Sequence, residues 1–294
     1  MARLDPNRFS WNKRTSASTA EDWFETLAHL GPQRVMITEL AGSKSAQVQA
    51  HGLTSREAES LKKQFGGSTR EARWLTAQNP PQRAPIKIRG KLSVVSTQNE
   101  REKAIEAGDP PALWIPAGMA FGTGEHSTTS MCLRQLADVA SLLKNTPWEF
   151  LDLGTGSAIL AMAARILGAK NVLGTDFDPH AIRTAKENVA NNALKGIKLI
   201  NSDVLKWTPE RTWPVVAANL FSGVLIEAAA TITSAIEVHG HLILSGVLRE
   251  QEAEVLKAFE KQGVRFERIV RKGKWISARG IREVREAAKR SKQR

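Results

Sequence analysis

A Gly-x-Gly turn lies directly between a predicted strand and a predicted helix, and no other feature of the sequence limits the fold as strongly. The apolar run Glu149–Leu153 ends at Gly154-Thr155-Gly156, and the helical pattern Ile159–Leu167 follows. Glycines permit a tight turn and let the backbone approach a ligand closely. A strand that passes into a helix in this way is typical of a doubly wound α/β sheet, whose ligands bind at the carboxyl ends of the strands.

Strands and helices alternate regularly after this turn. The further predicted strands are Asn171–Thr175, Ile197–Asn201, Val215–Ala218 and His241–Leu244, and the predicted helices are Pro179–Asn191, Val224–Ile236 and Arg249–Gln262. Such alternation produces parallel strands joined by right-handed crossovers. The last two strands, Val264–Arg271 and Lys274–Ser277, have no long helix between them. The sequence therefore predicts a Rossmann-like α/β sheet of seven strands that ends in an antiparallel hairpin.

Residues 1–85 have a different pattern, which predicts a small α+β domain. The predicted helices are Ala20–Leu30 and Ser55–Phe65, with Ser55 as the N-cap, and the predicted strands are Arg34–Glu39 and Ala46–Ala50. The proline-rich stretch Asn79–Pro85 is expected to be a stiff boundary. A short strand, Lys91–Ser96, follows, and residues 86–147 are otherwise expected to be a linker that leads into the second domain.

The composition is typical of a globular cytoplasmic protein. The chain has 294 residues, of which 41% are hydrophobic and 24% are charged. We expect no membrane-spanning helix, because no apolar run approaches the roughly 20 residues that such a helix needs. The N-terminus lacks the apolar core of a secretory signal. The single cysteine, Cys132, cannot form a disulfide within the chain, which fits a reducing compartment.

The net charge of +12 is concentrated outside the predicted sheet. It divides into +6 for residues 1–90, +2 for residues 91–280 and +4 for the tail, residues 281–294. This distribution favours an acidic partner, of which nucleic acid is the commonest; a basic surface that only aids solubility is the alternative. The tail repeats Arg and Lys at helical spacing, so a helix that forms on RNA and a disordered, solvated tail are both compatible with it.

Asp176 stands where a carboxylate can accept hydrogen bonds from both ribose hydroxyls of an adenosine. It follows Gly154 by 22 residues, at the end of the second predicted strand of the sheet. Together with Gly154 and Gly156 it predicts an adenosine-type site. A turn that binds nothing is the alternative. An adenosine-type site is compatible with a nicotinamide-dependent oxidoreductase and with a methyltransferase, and the oxidoreductase is disfavoured because Ala158 is not followed by the third glycine of a dinucleotide fingerprint.

Two further aspartates flank this predicted site. Asp152 precedes the turn, where an acidic side chain can orient the loop and a positively charged methyl donor. Asp203 follows the third predicted strand, where it would reach the amino group of an adenine; a turn or N-cap aspartate is the other interpretation. The sequence contains no metal-ligand cluster and no Ser-His-Asp arrangement at motif level, so we expect no metal site.

The stretch Trp114–Leu133 resembles the signature of the bacterial ribosomal protein methyltransferases of the PrmA type, through Phe121-Gly122-Thr123-Gly124-Glu125-His126-Ser127-Thr128-Thr129. The segments Leu151–Asn192 and Val215–Leu220, the second followed by Ser222-Gly223, are similar to the same family. The resemblance covers about residues 91–279. Two departures occur: the family usually has glycine at position 158, and it usually has Thr-His-Pro where this chain has Glu125-His126-Ser127.

This resemblance implies a class I S-adenosylmethionine-dependent methyltransferase. Its acceptor would be large-subunit ribosomal protein eleven, modified at lysine side chains and at the N-terminal amine. In such an enzyme Thr129, Gly154, Asp176 and Asn219 would contact the donor. Phe121 and Thr123 would belong to a loop, with Gly122, that closes over the methyl group, and together with Asn219 they form the implied catalytic set.

The resemblance also implies a division of labour along the chain. Residues 148–280 would be the methyltransferase domain, and residues 1–85 would recognise the ribosomal substrate, close to ribosomal RNA. We expect a monomer that is not bound to membranes. Alternatives are a methyltransferase of the same fold that acts on another protein lysine or on RNA, and a non-catalytic ribosome-binding factor.

Two polar residues near the implied site have competing interpretations. His126 could accept a proton from the amine as a general base, but a role in structuring the loop is favoured. Asn219 follows the fourth predicted strand and can offer its side-chain carbonyl to the nucleophile or the donor. A strand-end turn is the alternative for Asn219.

Overall fold

The protein was analysed as a computed structural model, which describes residues 9–16, 34–39, 45–71, 85–116 and 126–284 and the isolated residues Thr19, Trp23, Thr26, Leu27 and Leu30. The chain divides into two compact units, Met1–Gln82 and Arg83–Arg294. Most of the predicted helix Ala20–Leu30, nearly all of the proline-rich stretch and residues 117–125, which include Phe121 and Thr123, lie outside the described residues, as does the tail beyond residue 284.

The first unit contains a four-stranded antiparallel sheet and one described helix. Its strands are β1 (Phe9–Ser16), β2 (Val35–Glu39), β3 (Ser45–Leu53) and β4 (Ser68–Glu71), in the order β2-β3-β1-β4, and its helix is α1 (Ser55–Phe65). Trp11 of β1 is fully buried in the core of this unit and donates from Nε1 to the carbonyl of Gly66 at 2.7 Å. The sequence predicted β2, β3 and α1, and it missed β1 and β4.

The N-cap of α1 is Thr54, so the predicted cap at Ser55 was wrong by one residue. Thr54 Oγ1 accepts from the backbone N–H of Glu57 at 3.2 Å, and Glu57 Oε2 accepts from the N–H of Thr54 at 2.6 Å. The Glu three residues after the cap determines which hydroxyl residue begins the helix, because only Thr54 can complete this reciprocal pair. Arg34 donates to the same carboxylate at 3.0 Å and is the main cause that lowers the pKa of Glu57 to about 2.

The second unit begins with a small sheet and a helix where the sequence predicted mainly a linker. Strands β5 (Ile86–Ile88), β6 (Leu92–Val95) and β7 (Ala112–Trp114) pair in that order, and β6 is joined to β7 through α2 (Gln98–Glu106). The 16-residue helix α3 (Ser127–Leu142) follows. The apolar side chains of β5–β7 belong to the same core cluster as those of α3.

The main element of this unit is a seven-stranded sheet. Its strands are β8 (Phe150–Leu153), β9 (Val172–Asp176), β10 (Ile197–Asn201), β11 (Trp213–Asn219), β12 (Ile236–Leu248), β13 (Val264–Lys272) and β14 (Trp275–Arg282), and its helices are α4 (Ile159–Ile166), α5 (Pro179–Asn191), α6 (Ser222–Glu227), α7 (Ala229–Ser234) and α8 (Glu252–Glu260), the last preceded by a 3₁₀ turn at Arg249–Gln251. The strand order is β10-β9-β8-β11-β12-β14-β13; the first five strands are parallel, and β14 runs antiparallel to both of its neighbours, β12 and β13.

Apolar clusters cover both faces of this sheet. One cluster joins α3 and α4 to inward-facing residues such as Phe150 and Ile243, and the other joins α6, α7 and α8 to residues such as Leu151 and Leu244. Neighbouring residues of one strand belong to opposite clusters, as the alternation of side chains in a strand requires. The predicted doubly wound sheet with a terminal hairpin is thereby confirmed.

Several predicted boundaries in this unit were wrong: the strands predicted at His241–Leu244 and Lys274–Ser277 are longer, and the helix predicted at Arg249–Gln262 is shorter. The predicted helix Val224–Ile236 is two short helices that meet at Ala228, and Ile236 already belongs to β12. Ile236 is buried and pairs with Trp213, five residues before the predicted start of the strand. The predicted tail from 281 onward begins later, because β14 extends to Arg282. For β12 and β14, pairing with neighbouring strands extends the strand beyond what the local pattern indicates.

Helix α3 is fixed to the hairpin by polar contacts as well as by apolar packing. Gln135 Nε2 donates to Ser277 Oγ of β14 at 2.7 Å, in the buried interior. His126, the N-cap of α3, lies edge-on against Trp275, with ring centroids 4.9 Å apart. Because Trp275 pairs with Leu248, the last residue of β12, the N-terminus of α3 lies at the edge of the sheet where the parallel strands end.

Within the part of the chain that the structure describes, every helix is too short or too polar to cross a membrane.

We expect Gly246→Ala to destabilise the protein much more than Gly273→Ala. Both glycines have positive φ, +84° and +58°, so alanine at either position costs roughly 1–2 kcal/mol in backbone strain. A Cβ at position 246 would in addition lie 2.2 Å from the carbonyl oxygen of Leu220, whereas a Cβ at position 273 would meet nothing within 4 Å. Thermal unfolding should show a clearly lower midpoint for Gly246→Ala, and equal midpoints for the two variants would contradict the close approach.

Candidate functional site

The glycine turn after β8 requires left-handed backbone at three positions. Gly154, Gly156 and Ala158 have φ of +71°, +54° and +64°. The left-handed conformation favours glycine at position 154, and a Cβ there would lie 2.2 Å from Cδ2 of Leu220, so that a substitution would also displace this side chain. The turn delivers the chain directly into α4 at Ile159.

Ala158 holds the position where the related family usually has glycine. It adopts φ 64° and ψ 20°, a conformation that costs an L-residue with a Cβ about 1–2 kcal/mol. Its N–H donates to the carbonyl of Thr155 at 2.8 Å, and its carbonyl accepts from Met162 at 2.8 Å. Ala158 is fully buried, so the packing of its methyl group offsets part of this strain. Ala158 therefore adopts the left-handed conformation that glycine would take more easily.

Asp152 supports the turn from within the sheet. Its Oδ2 accepts from Thr155 Oγ1 at 2.7 Å and from the N–H of Ala161 at 3.1 Å, so one carboxylate holds the turn and the first turn of α4 together. Burial raises the pKa of Asp152 to about 7, and the neighbouring charge of Asp176 acts in the same direction. The orienting role predicted for this aspartate agrees with these contacts.

Asp176 connects the end of β9 to the same turn. Its Oδ2 accepts from the N–H of Gly156 at 2.9 Å, and its Oδ1 accepts from the N–H of Asp178 at 3.0 Å. The side chain is only 8% exposed. Each carboxylate oxygen has a further lone pair, so the group can still accept hydrogen bonds from a ligand diol. Because β8 and β9 are adjacent parallel strands, the carboxylate lies beside the glycine turn.

Two buried oxygens at this edge of the sheet have no hydrogen-bond partner among the described residues: Thr129 Oγ1, in the first turn of α3, and Asn219 Oδ1, at the end of β11. Leaving a buried acceptor or hydroxyl unpaired is unfavourable by roughly 1–3 kcal/mol. A ligand that donates hydrogen bonds would satisfy both. These oxygens therefore fit the donor-binding role that the resemblance implies for Thr129 and Asn219.

Other buried side-chain atoms without a hydrogen-bond partner lie in other parts of the fold. The other buried, unpartnered side-chain atoms of the described residues lie within helices or strands and away from the strand ends, on Gln135, Thr233, His241 and Arg279.

Asp203 makes a turn contact, which was one of the two interpretations that the sequence allowed. Its Oδ1 accepts from the N–H of Leu205 at 3.0 Å, and Lys206 Nζ lies 3.7 Å from its other oxygen. It follows β10, the outer strand of the sheet, with β9 between it and the glycine turn. A contact with an adenine amino group stays a prediction for this residue, as do the roles of Phe121 and Thr123.

His126 lies within the signature Trp114–Leu133 and is its first described residue after positions 117–125. Its Nδ1 lies 2.7 Å from Thr128 Oγ1, and its ring packs against Trp275. Burial lowers the pKa of His126, and the nearby charge of Lys274 lowers it further. An imidazole that is held on two sides agrees with the favoured structuring role. Sequence reasoning missed Trp275, for which the only local signal was an aromatic residue directly after the turn at Gly273-Lys274.

The described residues contain no candidate metal site. Among residues 85–116 and 126–284, as in the described part of the first unit, no three His, Cys, Asp or Glu side chains are arranged to hold a metal ion.

We expect the stability difference between the wild type and Asp152→Asn to depend on pH. The pKa of Asp152 is about 7 in the folded protein and near 3.9 in an unfolded chain. Between these values the folded protein keeps a proton that the unfolded chain releases. The stabilisation that Asp152 contributes is therefore fully present below about pH 4 and is lost as the pH rises towards 7.

The amide in the variant does not titrate and lacks this loss. Denaturant unfolding at about pH 5 and about pH 7.5 should show the wild type losing stability relative to Asp152→Asn at the higher pH. Asp109→Asn, at an exposed position, is the control and should follow the wild type. A difference between the wild type and Asp152→Asn that is equal at both pH values would contradict the raised pKa.

Comparisons with known proteins agree with this geometry. The ribosomal protein L11 methylase of Lactobacillus delbrueckii subsp. bulgaricus superposes with a TM-score of 0.57 at 28% sequence identity, over 68% of this chain and 99% of that chain. The ribosomal protein L11 methyltransferase of Geobacter sulfurreducens is 41% identical over 172 residues, 58% of this chain and 54% of the relative. Its counterpart in Geobacter metallireducens is 38% identical over 206 residues, which are 70% of this chain and 65% of that relative. The chain thus spans between half and two thirds of these curated relatives.

A family model described as ribosomal protein L11 methyltransferase (PrmA) matches residues 13–283. The match begins within β1 and so extends well upstream of residue 91, where the resemblance seen in the sequence began. The N-terminal unit is therefore included in the similarity, although its sequence contains no motif that resembles the family. The chain belongs to the ribosomal protein L11 methyltransferase (PrmA) family.

Proposed function

We propose that this protein is an S-adenosylmethionine-dependent N-methyltransferase whose acceptor is ribosomal protein L11. The observation that carries the proposal is the pair of buried, unpartnered oxygens Thr129 Oγ1 and Asn219 Oδ1, at the edge of the sheet that also holds the glycine turn and Asp176. The donor's ammonium group and ribose hydroxyls are the hydrogen-bond donors that such acceptors require. Membership of the family supports the same cofactor.

The residues present suit the two ends of this donor. Asp176 would accept from the ribose hydroxyls while its existing bond to Gly156 fixes its orientation. The tight left-handed turn at Gly154 and Gly156 would let the backbone approach the donor closely. Thr129 and Asn219 would line the methionine end and the reacting centre.

Methyl transfer places few chemical demands on the protein itself. When bound, S-adenosylmethionine supplies an electrophilic methyl carbon on a positively charged sulfur, which a neutral amine displaces in line. Asn219 would accept a hydrogen bond from the incoming amine and so direct its lone pair. A lysine amine has an unperturbed pKa of about 10.4, and a site poor in water favours its neutral form. Solvent can take the released proton.

The acceptor is assigned from the family and from the organisation of the chain. We propose lysine side chains and the N-terminal amine of ribosomal protein L11 as the methylated groups. Residues 1–85 would recognise this substrate, the loop with Phe121 and Thr123 would close over the methyl group, and residues 148–280 would bind the donor. The +6 charge of residues 1–90 supports an approach to a substrate that is bound to ribosomal RNA.

The same proposal includes the setting of the reaction. A monomer in the cytoplasm would meet newly made or assembled ribosomal protein there, and the single, buried Cys132 is compatible with that compartment.

The basic charge also favours a second candidate, a methyltransferase of the same fold that acts on RNA. The net charge of +12 supports it. The two candidates differ in which purified acceptor takes up the methyl group, protein L11 or ribosomal RNA. A non-catalytic ribosome-binding factor would bind RNA and give no calorimetric heat with S-adenosylmethionine.

We expect Asp176→Ala to weaken donor binding by roughly 1–3 kcal/mol, because charged-acceptor hydrogen bonds are lost. Calorimetric titration with S-adenosylmethionine measures the effect. Asp178→Ala is the matched control: Asp178 Oδ1 caps α5 by accepting from the N–H of His180 at 2.8 Å, so its loss should lower the unfolding midpoint and leave donor affinity almost unchanged. Equal losses of affinity in both variants, or none in Asp176→Ala, would argue against the strand-end site.

We expect the mass of ribosomal protein L11 to fall by whole methyl groups in cells that lack the gene. Intact-mass spectrometry of ribosomal proteins measures this change, and peptide mapping assigns the sites. Complementation with the wild type should restore the mass, and complementation with Asn219→Ala should not. An unchanged mass of L11 would reject this acceptor and leave the family assignment intact.

A further inference from the structure

Two phenylalanines stand exposed on either side of the glycine turn. Phe177 follows β9 and is 73% exposed, and Phe221 follows β11 and is 71% exposed. Strand β8, which carries the turn, lies between β9 and β11 in the sheet. The two rings therefore flank the predicted donor site at the carboxyl ends of the strands.

The backbone around Phe221 is firmly held although its ring is exposed. The N–H of Leu220 donates to the carbonyl of Ser245 at 3.1 Å, and the carbonyl of Phe221 accepts from Leu225 at 3.0 Å. Ser222 Oγ donates to Gln251 Oε1 at 2.7 Å directly after it. The ring is thus carried by a fixed strand-to-helix junction.

The fold gives no reason for a phenylalanine at this position. Phe221 is the N-cap of α6, where Ser, Thr, Asp and Asn are strongly preferred, and no side chain caps the helix. The exposed ring also removes little apolar surface from water. A residue that serves neither the cap nor the core is expected to serve something outside the fold.

The position of Asp176 decides which side of the donor Phe221 faces. A donor whose ribose is held by Asp176 has its nucleoside towards β9, the side of Phe177. Its reacting end then lies towards β11, where Asn219 Oδ1 is buried and unpartnered. Phe221 comes two residues after Asn219, and Leu220 between them packs against the glycine turn. Phe221 is accordingly the apolar surface on the acceptor side.

We propose that Phe221 is the acceptor-side contact for a lysine substrate, with its ring packed against the aliphatic stem and facing the amine nitrogen. The inference rests on the proposed function and adds a specificity residue to it. The methylene stem of lysine is apolar and unbranched, so it can lie along an aromatic face. A nitrogen that carries methyl groups and a positive charge is also attracted to the face of an aromatic ring, so each methylated product would keep this contact.

A bisubstrate probe tests this contact without the acceptor protein. The probe is an S-adenosylhomocysteine analogue with nitrogen in place of sulfur, and its aminoalkyl arm on that nitrogen is a two-carbon link to an amine that carries a butyl chain in place of the lysine stem. We expect the wild type to bind the probe more tightly than S-adenosylhomocysteine, and we call the ratio of the two dissociation constants the margin. Phe221→Ala should reduce this margin about tenfold while its affinity for S-adenosylhomocysteine stays that of the wild type. Phe221→Leu, which keeps an apolar surface without an aromatic face, should be intermediate. Leu142→Ala, at a 65% exposed position at the far end of α3, is the control.

Several outcomes would overturn the inference. An unchanged margin in Phe221→Ala would show that the ring does not touch the aminoalkyl arm. An equal loss of affinity for the probe and for S-adenosylhomocysteine would assign the ring to the donor side. A margin in Phe221→Leu equal to that of the wild type would exclude the aromatic contribution. Circular dichroism of each variant guards against loss of the fold.

Steady-state methylation of purified L11 separates this inference from the proposed function. If the wild type is active, Phe221→Ala should raise the KM for L11 about tenfold and change kcat less than about twofold. A wild type that shows the expected margin with the probe and no activity on L11 would reject the acceptor and retain the role of Phe221. An active wild type with an unchanged KM in Phe221→Ala would reject the role of Phe221 alone.

Discussion

The hydrogen bond from the N–H of Gly156 to the carboxylate of Asp176 is the interaction on which the site depends. It joins the turn after one strand to the end of the neighbouring strand across 2.9 Å. Asp152 holds the other side of the same turn through Thr155 and Ala161. Two carboxylates on adjacent strands thus keep a loop with three left-handed residues in one conformation. Asp176, which the sequence predicts as a ligand contact, therefore also holds the turn against which the ligand would lie.

Local chemistry made much of the large sheet predictable. Helix α5 has the predicted bounds, because Asp178 caps it and Pro179 occupies its first position. Helix α3 was missed, because the run Ser127-Thr128-Thr129-Ser130 is typical of a loop and becomes helical where it is buried against the sheet. The early start of β12 is likewise set by a distant partner, Trp213 of β11. Period and composition do not reveal such partners.

The candidate site divides in the same way. Gly154, Gly156 and Asp176 could be selected from their spacing, since strand, turn and carboxylate follow one another within a single unit of the fold. Thr129 came only from the family resemblance. Asn219 could be noted from its place after a predicted strand, but not joined to Thr129, because the two lie 90 residues apart and meet the same sheet edge through tertiary structure. Trp275 and Phe221 gave no usable signal. One is recognised by its contact with His126, and the other by an exposed ring at a position that favours a polar cap.

The order of the strands also determines when the site can be completed. Strand β14 lies between β12 and β13 in the sheet, although it is made after both. It carries Ser277, which anchors Gln135, and Trp275, which packs against His126. Helix α3 and the end of the signature loop therefore lack these supports until the final strand has been synthesised and inserted. A nascent chain that stops before β14 would contain nearly every residue of the candidate donor site and still lack the contacts that hold the helix carrying Thr129 in place.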